Sequence, residues 1–238
     1  MTPEEIFEFD LRGFIIFRGL LDGGALMTLN KALARVAPSD PQQFAFIEKD
    51  PAFMDLMEHP RILSALRLMI GDWFRLDHVY AITMKKGTGG TPTLHGGPRT
   101  DKHEHQYEWR EGRMYNGLMV VSWALSDMGE GDGGFLCVPG SHKSNLLPTV
   151  REDSPLVVQP AMKAGDALIF TEALIHGTRS WTAPHERRSL LYKYSPGHSC
   201  WADYDEMKVL LPLARTAMQK ALLRPAYVGN RDPLPFPG

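Results

Sequence analysis

From Trp73 onward the sequence breaks into short apolar runs divided by glycine and proline clusters, and this punctuation constrains the fold more than any other feature. The runs at 76–85, 117–125, 134–138, 167–170 and 189–194 have strand length and turn-forming borders, the pattern of an all-β sandwich or barrel. The first seventy residues read differently. Thr2 as N-cap, Pro3 and the acidic pair Glu4 and Glu5 start a helix, 13–18 reads as a strand, and 24–36 is helical. Residues 50–69 continue that register, punctuated by Pro51 and Pro60 into two pieces. A last helical stretch, 203–223, is broken by Pro212. The expectation is one domain over 1–238: a helical scaffold at 1–70 packed on a β-core at 73–200, with a C-terminal helix.

Composition narrows the function classes. With 43% hydrophobic and 23% charged residues and a net charge of −2, the 238-residue chain has an ordinary globular balance and no basic excess for a nucleic-acid backbone. The opening MTPEEIFEFD lacks the basic and apolar regions of a signal peptide, and no apolar run approaches a membrane span, so a cytoplasmic protein without membrane or nucleic-acid partners is expected. The two cysteines, Cys137 and Cys200, are too few for a disulfide framework and read as reduced, structural thiols.

The chemistry concentrates in GDALIFTEALIHGTRSWTAPHERRSLLYKY, residues 165–194. His176 lies just past one predicted strand, and Arg187, eleven positions on, opens the next, so the two can face a common cavity. Neutral imidazole suits a borderline metal, and guanidinium is the best bidentate partner for a carboxylate. A second imidazole comes from His95 in TLHGGP, also near a strand end. Spacing alone leaves other readings open: any two of nine histidines can be surface or satisfied core groups, and the pair Arg187 and Arg188 after a turn can be a solvated strand end. His103 and His105 read as a solvated face, and His142 as part of a turn.

The succession LHGGP, VVSWALSDMGEGDGGFLCVPGSHKSN and GDALIFTEALIHGTRSWTAPHERRSLLYKYSPGH resembles the phytanoyl-CoA dioxygenase family of iron(II)- and 2-oxoglutarate-dependent oxygenases. The resemblance implies a double-stranded β-helix, a cupin-like jelly roll, with iron held by a His-x-Asp motif and a distal histidine. Carried over by position, His95 and His176 become metal ligands and Arg187 the clamp on the far carboxylate of 2-oxoglutarate. Trp123 and Thr178 match positions that contact the cosubstrate. If the strand register slips by one, Arg188 exchanges roles with Arg187.

One departure stands out, since Gly97 occupies the place of the motif's aspartate. Three outcomes are compatible with it. Asp101 or Glu104 supplies the carboxylate from the following loop and the protein is an oxygenase hydroxylating an unactivated C–H bond of a small molecule. Alternatively chloride fills the vacancy, as in related halogenases, or iron chemistry is lost and a small acid is merely bound. The stretch 87–115 is glycine-rich and then charged, the composition of a lid, and its Arg99, Lys102 and Arg110 are expected to face water.

Overall fold

The computed structural model describes residues 1–35, 44–90, 93–98, 102–146, 149–229 and 232–237. In chain order the elements are α1 (Pro3–Arg12), β1 (Phe14–Phe17), α2 (Gly23–Leu33), α3 (Pro51–Leu56), α4 (Pro60–Ile70), β2 (Phe74–Met84), β3 (Tyr107–Arg110) and β4 (Arg113–Asn116). They continue with β5 (Met119–Ala124), β6 (Gly134–Cys137), β7 (Ala167–Thr171), β8 (His176–Arg179), β9 (Arg187–Pro196), α5 (Tyr204–Lys208) and α6 (Ala217–Leu222). The Thr2 capping box is formed: Thr2 Oγ1 accepts from the Glu5 amide while the Glu5 carboxylate accepts from the Thr2 amide.

A five-stranded antiparallel sheet, ordered β1-β7-β5-β9-β2, faces a smaller one in which β6 pairs with β8. Together they form the jelly-roll core that the sequence led us to expect. Strand alternation gives the large sheet two chemically separate faces. Ala167, Ile169, Val121, Trp123, Leu190, Tyr192 and Tyr194 enter one apolar cluster with the helices. Leu168, Phe170, Val120, Ala124 and Leu191 enter the other, against Phe135, Cys137 and Leu174 of the smaller sheet and its connections. The helix layer is pinned by buried hydroxyls: Tyr192 donates to the Phe53 carbonyl at 2.7 Å and Tyr194 to that of Met57 at 2.8 Å.

Several expectations are corrected in detail. His176 lies past β7 as expected but also opens β8, a short strand that four residues, HGTR, made hard to read. The stretch 87–115 is not all loop, because 107–110 belongs to a two-stranded ribbon with β4. The 203–223 stretch splits into α5, a 3₁₀ turn at Leu211–Leu213 around Pro212, and α6. Among the described residues no helix is long and apolar enough to cross a membrane.

A bulge in the β2–β9 pairing between Leu76 and His78 turns Asp77 into a hub. Its carboxylate accepts from Arg75 at 3.1 Å, His78 Nδ1 at 2.7 Å, Ser195 Oγ at 2.7 Å, and the amides of Trp201 and Ala202 at 2.9 and 3.0 Å. The hub ties the segment after β9 onto β2. Burial opposes ionisation of Asp77, yet the hydrogen bonds from His78, Trp201, Ser195 and Ala202 outweigh it and lower the group from 3.8 to about 2. Because the folded value lies below the unfolded one, this stabilisation, about 2 kcal/mol, is complete above pH 4 and lost as pH falls towards 2. Asp77→Ala should cost about 3 to 5 kcal/mol at pH 7 in urea denaturation. The gap to wild type should narrow by about 2 kcal/mol between pH 5 and pH 2.

Candidate active site

His95 and His176 meet through the backbone before they meet through their rings. Each donates its amide to the other's carbonyl at 2.8 Å, the reciprocal bonding of an antiparallel pair. Both side chains therefore project to one side, with ring centroids 4.3 Å apart. Gly96 lets the chain pass, because a Cβ there would lie 2.3 Å from the Leu174 carbonyl oxygen. Gly97 follows with φ at +90°, left-handed backbone that an aspartate would adopt only with strain.

The imidazoles are electron-pair donors at neutral pH. His176 Nδ1 donates to the Leu174 carbonyl at 2.7 Å, which fixes the tautomer and leaves Nε2 unprotonated. Burial pushes the His176 ring down to about 4 in spite of the nearby Glu172 carboxylate. His95 is open to the pocket, but the surrounding protein desolvates it enough to lower it as well.

Beside the histidines lies a charged pair that sequence reasoning missed. Glu172, in the turn between β7 and β8, and Lys193, on the inward face of β9, are both buried and joined Oε1 to Nζ at 2.5 Å. The other carboxylate oxygen, Oε2, faces His176 Nε2 at 3.7 Å. Burial would raise the Glu172 carboxyl, but Lys193 and the histidines overcome that and hold it at about 2. Two signals pointed to this pair: a glutamate four residues before His176 in TEALIH, and a lysine in the otherwise apolar run LLYKY.

Arg187 enters the same interior from the start of β9. Its side chain is 2% exposed, and its guanidinium contacts two thioethers, Met128 Sδ at 3.3 Å and Met84 Sδ at 3.1 Å. Among the described residues it has no carboxylate partner, and burial lowers it to about 10. Gly134 makes room for it, since a Cβ there would sit 3.2 Å from Arg187 Nε. Arg188 points the other way and pairs with Glu186 at 2.8 Å. The register therefore selects Arg187 as the inward residue.

A cavity of about 590 Å³ opens on the histidine side, lined among others by His95, His105, Glu172, Lys193 and Trp201. Trp201 is held at its edge by the Asp77 hub and by stacking on His78, with ring centroids 4.9 Å apart. His105, expected on a solvated face, instead lines this cavity and donates from Nδ1 to the Gly97 carbonyl at 3.2 Å. His142 lies in the expected turn, Ser141–Lys143, fully buried with its Nε2 donating to the Asp10 carbonyl at 3.0 Å.

The remaining expected site residues divide. Thr178 follows His176 on the same face of β8 and pairs with Phe135. Trp123 is a correction, because it projects into the helix-side cluster, edge-on to His59 at 5.2 Å, and so lies on the opposite face of the sheet from Arg187. Asp101 lies outside the described residues, and the Glu104 carboxylate sits 3.8 Å from Lys102 Nζ. Among the described residues no three His, Cys, Asp or Glu side chains converge into a finished metal cage. The donors nevertheless suit a divalent metal and a dicarboxylate: two neutral imidazoles on one side, and a buried cation without an anion.

A jelly roll presenting two paired histidines and a buried arginine defines a cupin-like dioxygenase framework. The family model for phytanoyl-CoA dioxygenase (PhyH) matches residues 9–189, and the chain belongs to that family. Among curated proteins it is 25% identical over 158 residues to dioxygenase af480 of Aspergillus fumigatus, covering 66% of this chain but 48% of that protein. The chain thus spans about half the length of that curated relative. Among solved structures it is similar to HygX from Streptomyces hygroscopicus with nickel, 2-oxoglutarate and hygromycin B bound. That match has 26% identity and a TM-score of 0.75 over 85% of this chain and 90% of that one. HygX with iron bound, at 24% identity and a TM-score of 0.74 over the same shares, agrees in fold.

The placement of Trp123 is directly testable. Trp123→Ala should cost about 3 to 5 kcal/mol in a denaturant titration, as for other buried aromatic truncations. The folded fraction should bind 2-oxoglutarate as wild type does in calorimetry.

Proposed function

We propose that the chain is an iron(II)- and 2-oxoglutarate-dependent oxygenase that hydroxylates an unactivated C–H bond of a small molecule. The observation that carries this reading is Arg187: a buried guanidinium whose hydrogen bonds among the described residues go to thioether sulfurs, with no carboxylate partner there, is costly unless an anion arrives. HygX, similar at 26% identity, has 2-oxoglutarate in its structure, and a dicarboxylate of that size is the natural partner for such an arginine.

In this reading His95 and His176 hold the metal, and the hydrogen bond from His176 Nδ1 to Leu174 keeps Nε2 free for it. Arg187 clamps the far carboxylate, and Thr178, on the His176 face, lies along the cosubstrate. Met84, Met128, Phe135 and Phe170 exclude water from that side. The bound metal and 2-oxoglutarate supply the oxidising power for breaking the C–H bond. Substrate enters by the cavity of His105, Lys193 and Trp201, where Trp201 offers an exposed ring face already fixed by the Asp77 hub.

Gly97 supports a second reading, a halogenase with chloride in place of the aspartate. The two readings separate on chloride. Under hydroxylation, chloride leaves the absorption band of the iron and 2-oxoglutarate complex unchanged; a saturable chloride-induced shift of that band would favour halogenation.

Three measurements test the main reading. His176→Ala should remove the charge-transfer band of the anaerobic ternary complex. Arg187→Ala should weaken 2-oxoglutarate binding by about 2 to 5 kcal/mol while Arg188→Ala leaves it unchanged. On exposure to oxygen, protein loaded with iron and 2-oxoglutarate should slowly form succinate without any added substrate. Tight 2-oxoglutarate binding with no succinate would leave a non-catalytic binder.

A further inference from the structure

The carboxylate missing at Gly97 has a counterpart elsewhere in the site. We infer that Glu172 supplies the third protein ligand to the metal through Oε2, while Lys193 retains Oε1; this rests on reading His95 and His176 as metal ligands. Two electron-pair donors face each other in the site. His176 commits its ring proton to the Leu174 carbonyl, so Nε2 carries a lone pair, and the atom opposite it at 3.7 Å is a carboxylate oxygen. The separation is too long for a hydrogen bond, so neither atom satisfies the other. Two buried lone pairs set against each other are repulsive unless a cation sits between them.

Neighbouring oxygen donors around an octahedral divalent ion lie roughly 3 Å apart when each bond is about 2.1 Å. Glu172 Oε2 and His176 Nε2 are within a small side-chain rotation of that spacing. The ring of His95 is already on the same side, and all three line or adjoin one cavity wall. The result is the two-histidine, one-carboxylate donor set of non-haem iron, with the carboxylate four positions before the distal histidine in sequence.

Lys193 explains why the cage is unfinished without metal. It satisfies one carboxylate oxygen and holds the side chain short of the imidazoles. The second oxygen is left unclaimed by any hydrogen bond to the protein among the described residues. The backbone at Gly97 fits the same account: with φ at +90° the motif position cannot readily carry the aspartate, so the ligand has moved to the β7–β8 turn.

The test is cobalt(II) binding at saturating 2-oxoglutarate, read by calorimetry and by the visible d–d spectrum, with a thermal melt on each variant. Glu172→Gln should weaken cobalt at least about tenfold and change the spectrum, as expected when a ligand rather than an outer partner is lost. Lys193→Met keeps the carboxylate and should bind cobalt within about threefold of wild type with the wild-type spectrum. Because Glu172→Gln leaves a buried lysine unpaired, Glu172→Gln/Lys193→Met serves as the charge-neutral check and should be as weak as the single glutamine variant. Wild-type cobalt affinity and spectrum in both glutamine variants, with binding lost in His176→Ala, would overturn the role of Glu172 and leave the histidines standing. Equal losses in Glu172→Gln and Lys193→Met would reduce Glu172 to a counter-ion of the lysine. Undiminished binding in His176→Ala would remove the histidine reading and this inference with it.

Discussion

The two-residue period of β9 is the constraint from which both the packing and the site follow. Its outward residues, Leu190, Tyr192 and Tyr194, are large and join the helix layer, two of them through buried hydroxyl bonds to α3 and the turn behind it. Its inward residues, Arg187, Ser189, Leu191 and Lys193, put one cation at each end of the jelly-roll interior. Six positions of extended chain separate their Cα atoms by roughly 20 Å, and both side chains reach from there into the same interior. One strand therefore sets the spacing between the arginine end and the Glu172 end, and the apolar grip of the outer face keeps that spacing fixed. A one-residue slip would carry both charges into the helix layer and the tyrosines into the cavity.

Sequence and structure agree where periodicity and punctuation are strong. The long strands, the helices opened by Pro51 and Pro60, the inward choice of Arg187 and the meeting of His95 with His176 were all legible, because each depends on local pattern or on a resemblance covering most of the chain. What escaped was decided by distant contacts. β8 is four residues long and exists because β6 and the His95 segment bond to it. Trp123 sits in a run buried on both faces, where hydrophobicity does not reveal which side a residue takes. Glu172 and Lys193 were visible individually as charges in apolar surroundings, but their pairing joins residues 21 positions apart across two strands.

The glycines after His95 have a backbone role of their own. Replacing Asp by Gly in His-x-Asp looks like a single lost side chain, which invites either a vacancy or a nearby substitute. In the structure the backbone carries constraints of its own: Gly96 lies against the Leu174 carbonyl, and Gly97 continues in left-handed geometry with its carbonyl taken by His105. The loop passes close to β8, and the reciprocal bonds between the two histidines depend on that approach.

The guanidinium of Arg187, without a carboxylate partner among the described residues, also has a consequence for the protein's lifetime. A charge buried against Met84 and Met128 destabilises the empty fold, and any acid that satisfies it binds the native chain and not the unfolded one. By mass action, an anion at one hundred times its dissociation constant adds about 2.7 kcal/mol to the native state. That is a sizeable fraction of the total stability of an ordinary domain. If Arg187 clamps a small acid as proposed, the abundance of folded protein is coupled to the supply of that acid, and starvation for it would shorten survival of the chain.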